Sequence, residues 1–328
     1  MCGHASPQEF PAFKHKMETF RYLSIAGAGT RGAAYLGMID AIEDNLGQEA
    51  YRQWRNGLLG VVGCSSGGIA ALTLILGLSR EKRRQLLMDF DMRHLVRQPD
   101  INMLITQYGI ESGSALREFI QSILIAGGLS PHSTFRDIDR LLRVRFVCVA
   151  SDIDNSCISY LSNEHTPDVL IADALCASCC IPLLFRPIVI NGKNLVDGCL
   201  MCALPDLFDT GETLFACIRD DDEPSLTNWM TYMFSLLKCA IASQNTHINL
   251  LKNYPNNVMM LHGGATSPFD LEMTGSVQGA NMAHSGYVSC LNYLSGGRLH
   301  RTMYKACTTY LNICYMRNIP TEEYECPP

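Results

Sequence analysis

Short apolar runs alternate along this chain with longer stretches whose apolar positions recur every three or four residues. Residues 20–26 (FRYLSIA) read as a strand, 27–32 as a glycine loop, and 33–46 as a helix with Tyr35, Leu36, Ile39 and Ile42 on one face. The plan then repeats. Leu58-Leu59-Gly60-Val61-Val62 is an apolar run, Gly63-Cys64-Ser65-Ser66-Gly67 a tight turn, and 69–78 a buried helix. Residues 80–97 predict a charged amphipathic helix with Leu86, Leu87, Phe90 and Leu95 turned inward. Helical spacing returns at 114–126, a short helix opens at 133–137, 144–150 (VRFVCVA) is a near-continuous β-run, and 168–177 is helical again. Residues 187–190 and 194–196 predict a hairpin around Asn191-Gly192, ending in Asp197-Gly198. A strand at 214–218, a long helix at 229–251, a strand at 258–261 and a helix at 285–294 complete the pattern. Strands and helices alternating through crossovers of this length predict an α/β domain with a largely parallel sheet.

Composition narrows the function classes. At 328 residues and 47% hydrophobic the chain can bury a large core, and its net charge of −6 does not suggest a nucleic-acid partner. No run reaches the 18 or so uncharged apolar residues of a membrane span, and the first twenty residues hold no apolar signal region. Fifteen cysteines in that context imply reduced thiols and a cytoplasmic setting rather than a disulfide framework.

The turn at Ser65 carries the candidate chemistry. A strand-to-helix turn this sharp crowds the backbone, so Gly63 and Gly67 are expected where a Cβ would clash. It would hold the Ser65 hydroxyl out of the sheet at the positive end of the next helix, where N–H groups can meet an oxyanion. Gly27-x-Gly29-x-x-Gly32 matches a dinucleotide fingerprint as a string, but that use needs a second strand ending in Asp or Glu, and here it ends in Gly63-Cys64-Ser65. The same loop geometry serves an oxyanion hole beside Ser65. A serine needs a base. The nine histidines stand in no recognisable motif, although His247, His262, His284 and His300 leave a histidine triad open, and Asp197-Gly198 at a strand end is the stronger candidate. Cys176-x-x-Cys179 and Cys199-x-x-Cys202 have the spacing of a structural zinc site, against which stands the plain use of cysteine as a small hydrophobe. The run Arg80-Glu-Lys-Arg-Arg84 reads either as a patch for an anionic membrane or as a solvated helix face.

Three ordered motifs resemble the patatin-like phospholipase family. Gly27-Ala-Gly-Thr-Arg-Gly32 is similar to its glycine-rich oxyanion loop, Gly63-Cys-Ser-Ser-Gly67 to its nucleophile motif, and Ala177-Ser178…Ile181-Pro182…Phe185-Arg-Pro187…Asp197-Gly198 to its Asp-Gly block. The resemblance covers about 21–205 and, weakly, the helix at Gly286-Tyr287. It implies a three-layer α/β/α fold with a mostly parallel central sheet, and a lipid acyl hydrolase that needs neither metal nor cofactor. Ser65 would be its nucleophile and Asp197 its general base, with an oxyanion hole at Gly27, Ala28 and Gly29. Thr30, Arg31, Gly32, Gly63, Gly67 and Gly198 would support the motifs, and Arg31 would meet a lipid phosphate or pair with a carboxylate on the rim. The implied partners are a phospholipid or other acyl lipid and a peripheral membrane surface. The implied organisation is a leader at 1–19, a catalytic core at 20–206 and a C-terminal portion at 207–328 packed on that core. Two departures stand out: Ala28 replaces the middle glycine of the loop, and Cys199 the small residue after Asp-Gly. The reading from a different class is a catalytically silent lipid-binding or scaffold protein of the same fold.

Overall fold

A computed structural model describes residues 17–89, 101–219, 229–242, 244, 246–264 and 277–296. Most of the expected leader, the expected helix beyond residue 89, and His300 lie outside the described residues. In chain order the strands are β1 (Tyr22–Ile25), β2 (Gly60–Cys64), β3 (Gly109–Glu111), β4 (Arg145–Asp152), β5 (Cys157–Ser162), β6 (Leu183–Phe185), β7 (Ile188–Ile190), β8 (Lys193–Asp197), β9 (Thr213–Arg219) and β10 (Val258–His262). The helices before the hairpin are α1 (Ala33–Leu46), α2 (Gln48–Asn56), α3 (Ser66–Ile75), α4 (Arg80–Asp89), α5 (Ile101–Gln107), α6 (Ser114–Ala126), α7 (Phe135–Leu142) and α8 (Ile171–Ser178). After it come α9 (Cys199–Cys202), α10 (Trp229–Ala242), α11 (Thr246–Asn253) and α12 (Val277–Leu294).

Eight strands form the central sheet in the order β10-β9-β1-β2-β4-β8-β7, with β5 also on β4. The run β10-β9-β1-β2-β4 is parallel, whereas β5 and β8 lie antiparallel to β4. Successive side chains of a strand point to opposite faces, so a sheet covered on both sides needs apolar residues at every position. On one face Leu23, Val61, Phe146 and Cys148 join the core formed with α1, α3 and α12. On the other, Val62, Cys64, Val147 and Val149 pack with Cys199 and Cys202 of α9 and with Ile241 of α10. The result is a mixed α/β fold built on a mostly parallel sheet.

One detail of register positions the site. Residues 147–149 of β4 pair with both β2 and β5, and residues 150–152 pair with both β5 and β8. Strands β2 and β8 therefore share one edge of β4, end to end. Strand β2 stops with Cys64 opposite Val149, and β8, arriving from the other direction, stops with Asp197 opposite Ala150. The residue after Cys64 and the last residue of β8 are thereby delivered to the same point.

Several elements differ from the periodicity reading. Helix α2 was not expected, because its nine residues carry few apolar positions; Tyr51 and Trp54 make its buried face. The long helix expected at 229–251 is divided into α10 and α11. Helix α12 begins eight residues before the expected one, at Val277. Its inner face is made of small residues, which hydrophobic periodicity does not register. A Cβ at Gly286 would come within 2.0 Å of the Ala34 carbonyl oxygen, and one at Gly37 within 1.7 Å of that of Ala283, so α1 and α12 touch backbone to backbone. The basic run on α4 is not wholly a solvated face. Arg83 is buried and binds Asp40 (2.6 Å) and Glu43, while Arg80 reaches Asp44 (2.6 Å), which docks α4 onto α1.

Candidate active site

Ser65 sits between β2 and α3 with φ +51° and ψ −129°, a conformation that non-glycine residues rarely adopt. The surrounding packing over-determines it. A Cβ on Gly67 would lie 2.4 Å from the carbonyl oxygens of Ile25 and Ala26, and one on Gly63 2.5 Å from the Gly68 Cα, so only glycines allow β2 to turn straight into the helix. The Ser65 N–H donates to Ser178 Oγ (2.8 Å), and Ser178 Oγ donates in turn to the Val149 carbonyl (2.5 Å). Ser178 also accepts the Gly198 N–H on its own carbonyl (3.3 Å). One fully buried hydroxyl therefore ties the turn at Ser65 to the central strand, and its backbone ties the Asp-Gly turn to the same place. Motif reading quoted Ser178 without giving it a role; the signal was its position in the Ala-Ser block.

The hairpin expected around Asn191-Gly192 is present; its turn has φ +52° and +77°, as type I′ requires, and brings β8 back along β4. Ser65 Oγ donates to Asp197 Oδ2 at 2.7 Å, and the Cys199 N–H donates to Asp197 Oδ1 at 2.8 Å. Both partners of the pair are about 95% buried. Burial pushes the Asp197 carboxyl above the usual carboxylate range, and the two hydrogen bonds, from Cys199 and then Ser65, offset this only in part. Gly198 lies where a Cβ would meet the Val149 carbonyl at 2.4 Å.

The loop after β1 lies against this pair. A Cβ on Gly27 would overlap Cys199 Sγ and come within 3.2 Å of the Ser65 Cβ, and one on Gly32 would strike the Ser66 side chain. The three N–H groups of the expected oxyanion hole are not equivalent. That of Gly27 is committed to the Ala203 carbonyl (2.9 Å), and that of Ala28 to Ser66 Oγ (3.1 Å). The N–H of Gly29, which opens a single 3₁₀ turn over Gly29–Gly32, has no acceptor among the described residues. Ala28 keeps a negative φ of −145°, outside the left-handed region that would favour glycine. Thr30 and Arg31 are buried behind the loop, and Arg31 reaches the carbonyl of Arg219 (3.5 Å).

Ser65 and Asp197 open onto a cavity of about 450 Å³. Its wall is mostly apolar, with Ile181, Leu200, Leu204, Leu237, Ile241 and Met260, and it carries the cations Arg31, Arg219 and Lys238. Among the described residues no histidine lines it. His262 and His284 belong to β10 and α12, and the side chain of His247 is not among those described. The two cysteine pairs do not converge. Cys176 and Cys179 pack in one hydrophobic cluster and Cys199 and Cys202 in another, and among the described residues the four sulfurs do not gather into a group of potential metal ligands. Burial holds the Cys179 thiol well above the usual thiol range, as befits a small buried hydrophobe.

A sequence profile described as "Patatin-like phospholipase" matches residues 23–205, more than half of the chain. The chain belongs to the patatin-like phospholipase family. That family is generally one of lipid acyl hydrolases. Within the range matched to it lie the loop at Gly27, the turn at Ser65 and Asp197-Gly198. The chain is 24% identical over 228 residues to an uncharacterized protein, R571, of Acanthamoeba polyphaga mimivirus, covering 65% of this chain and 73% of that protein. Among solved structures it is similar to VipD of Legionella pneumophila (TM-score 0.52, 18% identity, 85% of this chain and 67% of that one). It is also similar to the type III effector ExoU, of Pseudomonas aeruginosa, with a TM-score of 0.47 and 16% identity; the match covers 86% of this chain and about half (54%) of that one. At these identities the likeness concerns the fold.

Proposed function

We propose that this protein is a serine lipid acyl hydrolase of the phospholipase A or lysophospholipase type, working through a Ser65–Asp197 dyad. The observation that carries the reading is the 2.7 Å hydrogen bond from Ser65 Oγ to Asp197 Oδ2 at the base of an apolar cavity. Asp197, buried and raised in proton affinity, takes the Ser65 proton as Oγ attacks the ester carbonyl carbon. Negative charge then develops on the carbonyl oxygen. The free N–H of Gly29 is the donor best suited to it, joined by that of Ala28 once the Ser66 hydroxyl yields. Collapse of the tetrahedral intermediate expels the alcohol, which leaves with the proton held by Asp197. Water, deprotonated by the same carboxylate, then attacks the acyl-Ser65 ester, releasing the fatty acid and restoring the serine.

The cavity supports the substrate class. Its apolar wall suits an acyl chain. The wall also carries Arg31, Arg219 and Lys238, side chains of the kind that meet an anionic headgroup such as a phosphate. No described helix is long and apolar enough to cross a membrane, and the reading has the enzyme meet its lipid from the membrane surface. The test is labelling by a fluorophosphonate alongside turnover of phospholipid vesicles and of a p-nitrophenyl ester. Wild type should label once, at Ser65, and turn over both. Ser65→Ala should do neither. Turnover that survives in Ser65→Ala would sink the proposal, and a folded wild type that neither labels nor hydrolyses would favour the silent scaffold.

A further inference from the structure

Cys199 stands where the family pattern has a small residue, and it changes the composition of the site. Its Sγ lies 3.5 Å from Cys64 Sγ. Those two sulfurs and a carboxylate oxygen of Asp197 all lie within 4.8 Å of one another, the one such group of potential metal ligands among the described residues. Two zinc–sulfur bonds of about 2.3 Å at a tetrahedral angle span about 3.8 Å between sulfurs, so this pair is already near the required spacing. The three ligands come from fixed places: Cys64 from the end of β2, Asp197 from the end of β8, and Cys199 from the first residue of α9. Cys199 also lines the cavity, which gives an ion a route from solvent.

We propose that Cys64, Cys199 and Asp197 form a binding site for a thiophilic divalent ion of the zinc type, and that its occupancy switches the hydrolase off. A tetrahedral ion held by these three groups keeps a fourth position for water or the Ser65 hydroxyl. Binding converts two thiols to thiolates and releases two protons, with no change of oxidation state. The inhibitory consequence rests on the dyad reading. A carboxylate bound to a dication has lost its affinity for a proton, so Asp197 can no longer serve Ser65. The metal-free protein is the active form.

Two readouts separate the site from the function. Co²⁺ added to the chelator-treated, reduced full-length protein should bind one per chain and give a sulfur-to-cobalt charge-transfer band. Cys64→Ala and Cys199→Ala, each checked for folding by circular dichroism, should lose that band. One equivalent of Zn²⁺ should slow fluorophosphonate acylation by about 10²-fold or more, the scale of losing a general base, and chelation should restore it. Whatever its metal-free acylation rate, Cys64→Ala should keep that rate when Zn²⁺ is added. Absence of the band in wild type, or its persistence in both variants, overturns the site. A band that behaves as expected while Zn²⁺ leaves acylation untouched overturns the switch. A protein with no hydrolase activity refutes the dyad reading and with it the switch, while the cobalt band still decides the site.

Discussion

Replacing Asp197 by Asn tests the dyad at the level of single atoms. The side chain keeps its shape, and its surroundings dictate how the amide must lie. The Cys199 N–H, 2.8 Å from Oδ1, needs an acceptor, so the amide oxygen takes that position. The NH₂ group then faces Ser65 Oγ, where Oδ2 now accepts at 2.7 Å. Ser65 becomes an acceptor and loses the group that would receive its proton. Loss of a general base removes about 10²–10⁴ of rate, or about 2.7–5.4 kcal/mol of transition-state stabilisation. The effect on stability runs the other way. The folded-state pKa of Asp197 is raised by burial, so its ionisation is harder in the fold than in the unfolded chain. Its contribution is fully present below the unfolded pKa and is lost as pH rises through the folded one. At neutral pH the buried charge therefore costs stability, and Asn should raise the melting temperature while abolishing chemistry. The wild-type acylation rate should fall as pH drops through a value above the free-Asp value of about 3.9. Single-turnover acylation by a fluorophosphonate, in chelator and with circular dichroism as the control, measures all of this. An Asn variant that acylates at the wild-type rate would refute the assignment and leave Asp197-Gly198 a plain turn.

The strand–turn–helix units at Ser65 and after β1 were legible because each joins an apolar run to glycines that a sharp turn requires. The Asn191-Gly192 hairpin was legible for the same local reason: two consecutive positive φ values fit that pair of residues. What periodicity could not supply was set by long-range pairing. That β2 and β8 abut on one edge of β4, bringing together residues 132 positions apart, is a property of sheet order, and here motif order stood in for it. Helix α12 was underestimated because Gly279, Ala280, Ala283 and Gly286 face the core without the bulk that marks a buried face. The basic run on α4 misled in the opposite direction, since Arg83 is fully paired inside the protein. The oxyanion loop was located by its glycines, but which N–H points away from its neighbours depends on Ala203 and Ser66, both distant in sequence.

Two further substitutions test the packing that holds the site. Gly286→Ala in the middle of α12 should stabilise by about 1 kcal/mol on helix propensity alone. The new methyl would sit 2.0 Å from the Ala34 carbonyl oxygen, so α1 and α12 must part, and overpacking of about 1–3 kcal/mol or more should reverse the sign. A thermal melt decides it, and a rise in melting temperature would mean the helices separate freely. Ser178→Ala reaches the site through the backbone. Its hydroxyl accepts from the Ser65 N–H and donates to the Val149 carbonyl, both within the buried interior. Alanine leaves one donor and one acceptor unpaired where water cannot reach, at about 1–3 kcal/mol for each orphaned group. The donor belongs to a residue already held at φ +51°, so Ser65 should relax from that conformation and its Oγ drift from Asp197. We expect a lower melting temperature and acylation slowed by about 10-fold or more, since small misplacements of a nucleophile are costly. The midpoint of the pH profile should move upward, because Asp197 loses the Ser65 hydrogen bond that holds its proton affinity down. A variant that melts lower but acylates at the wild-type rate would mean that Ser178 supports the fold without positioning the nucleophile.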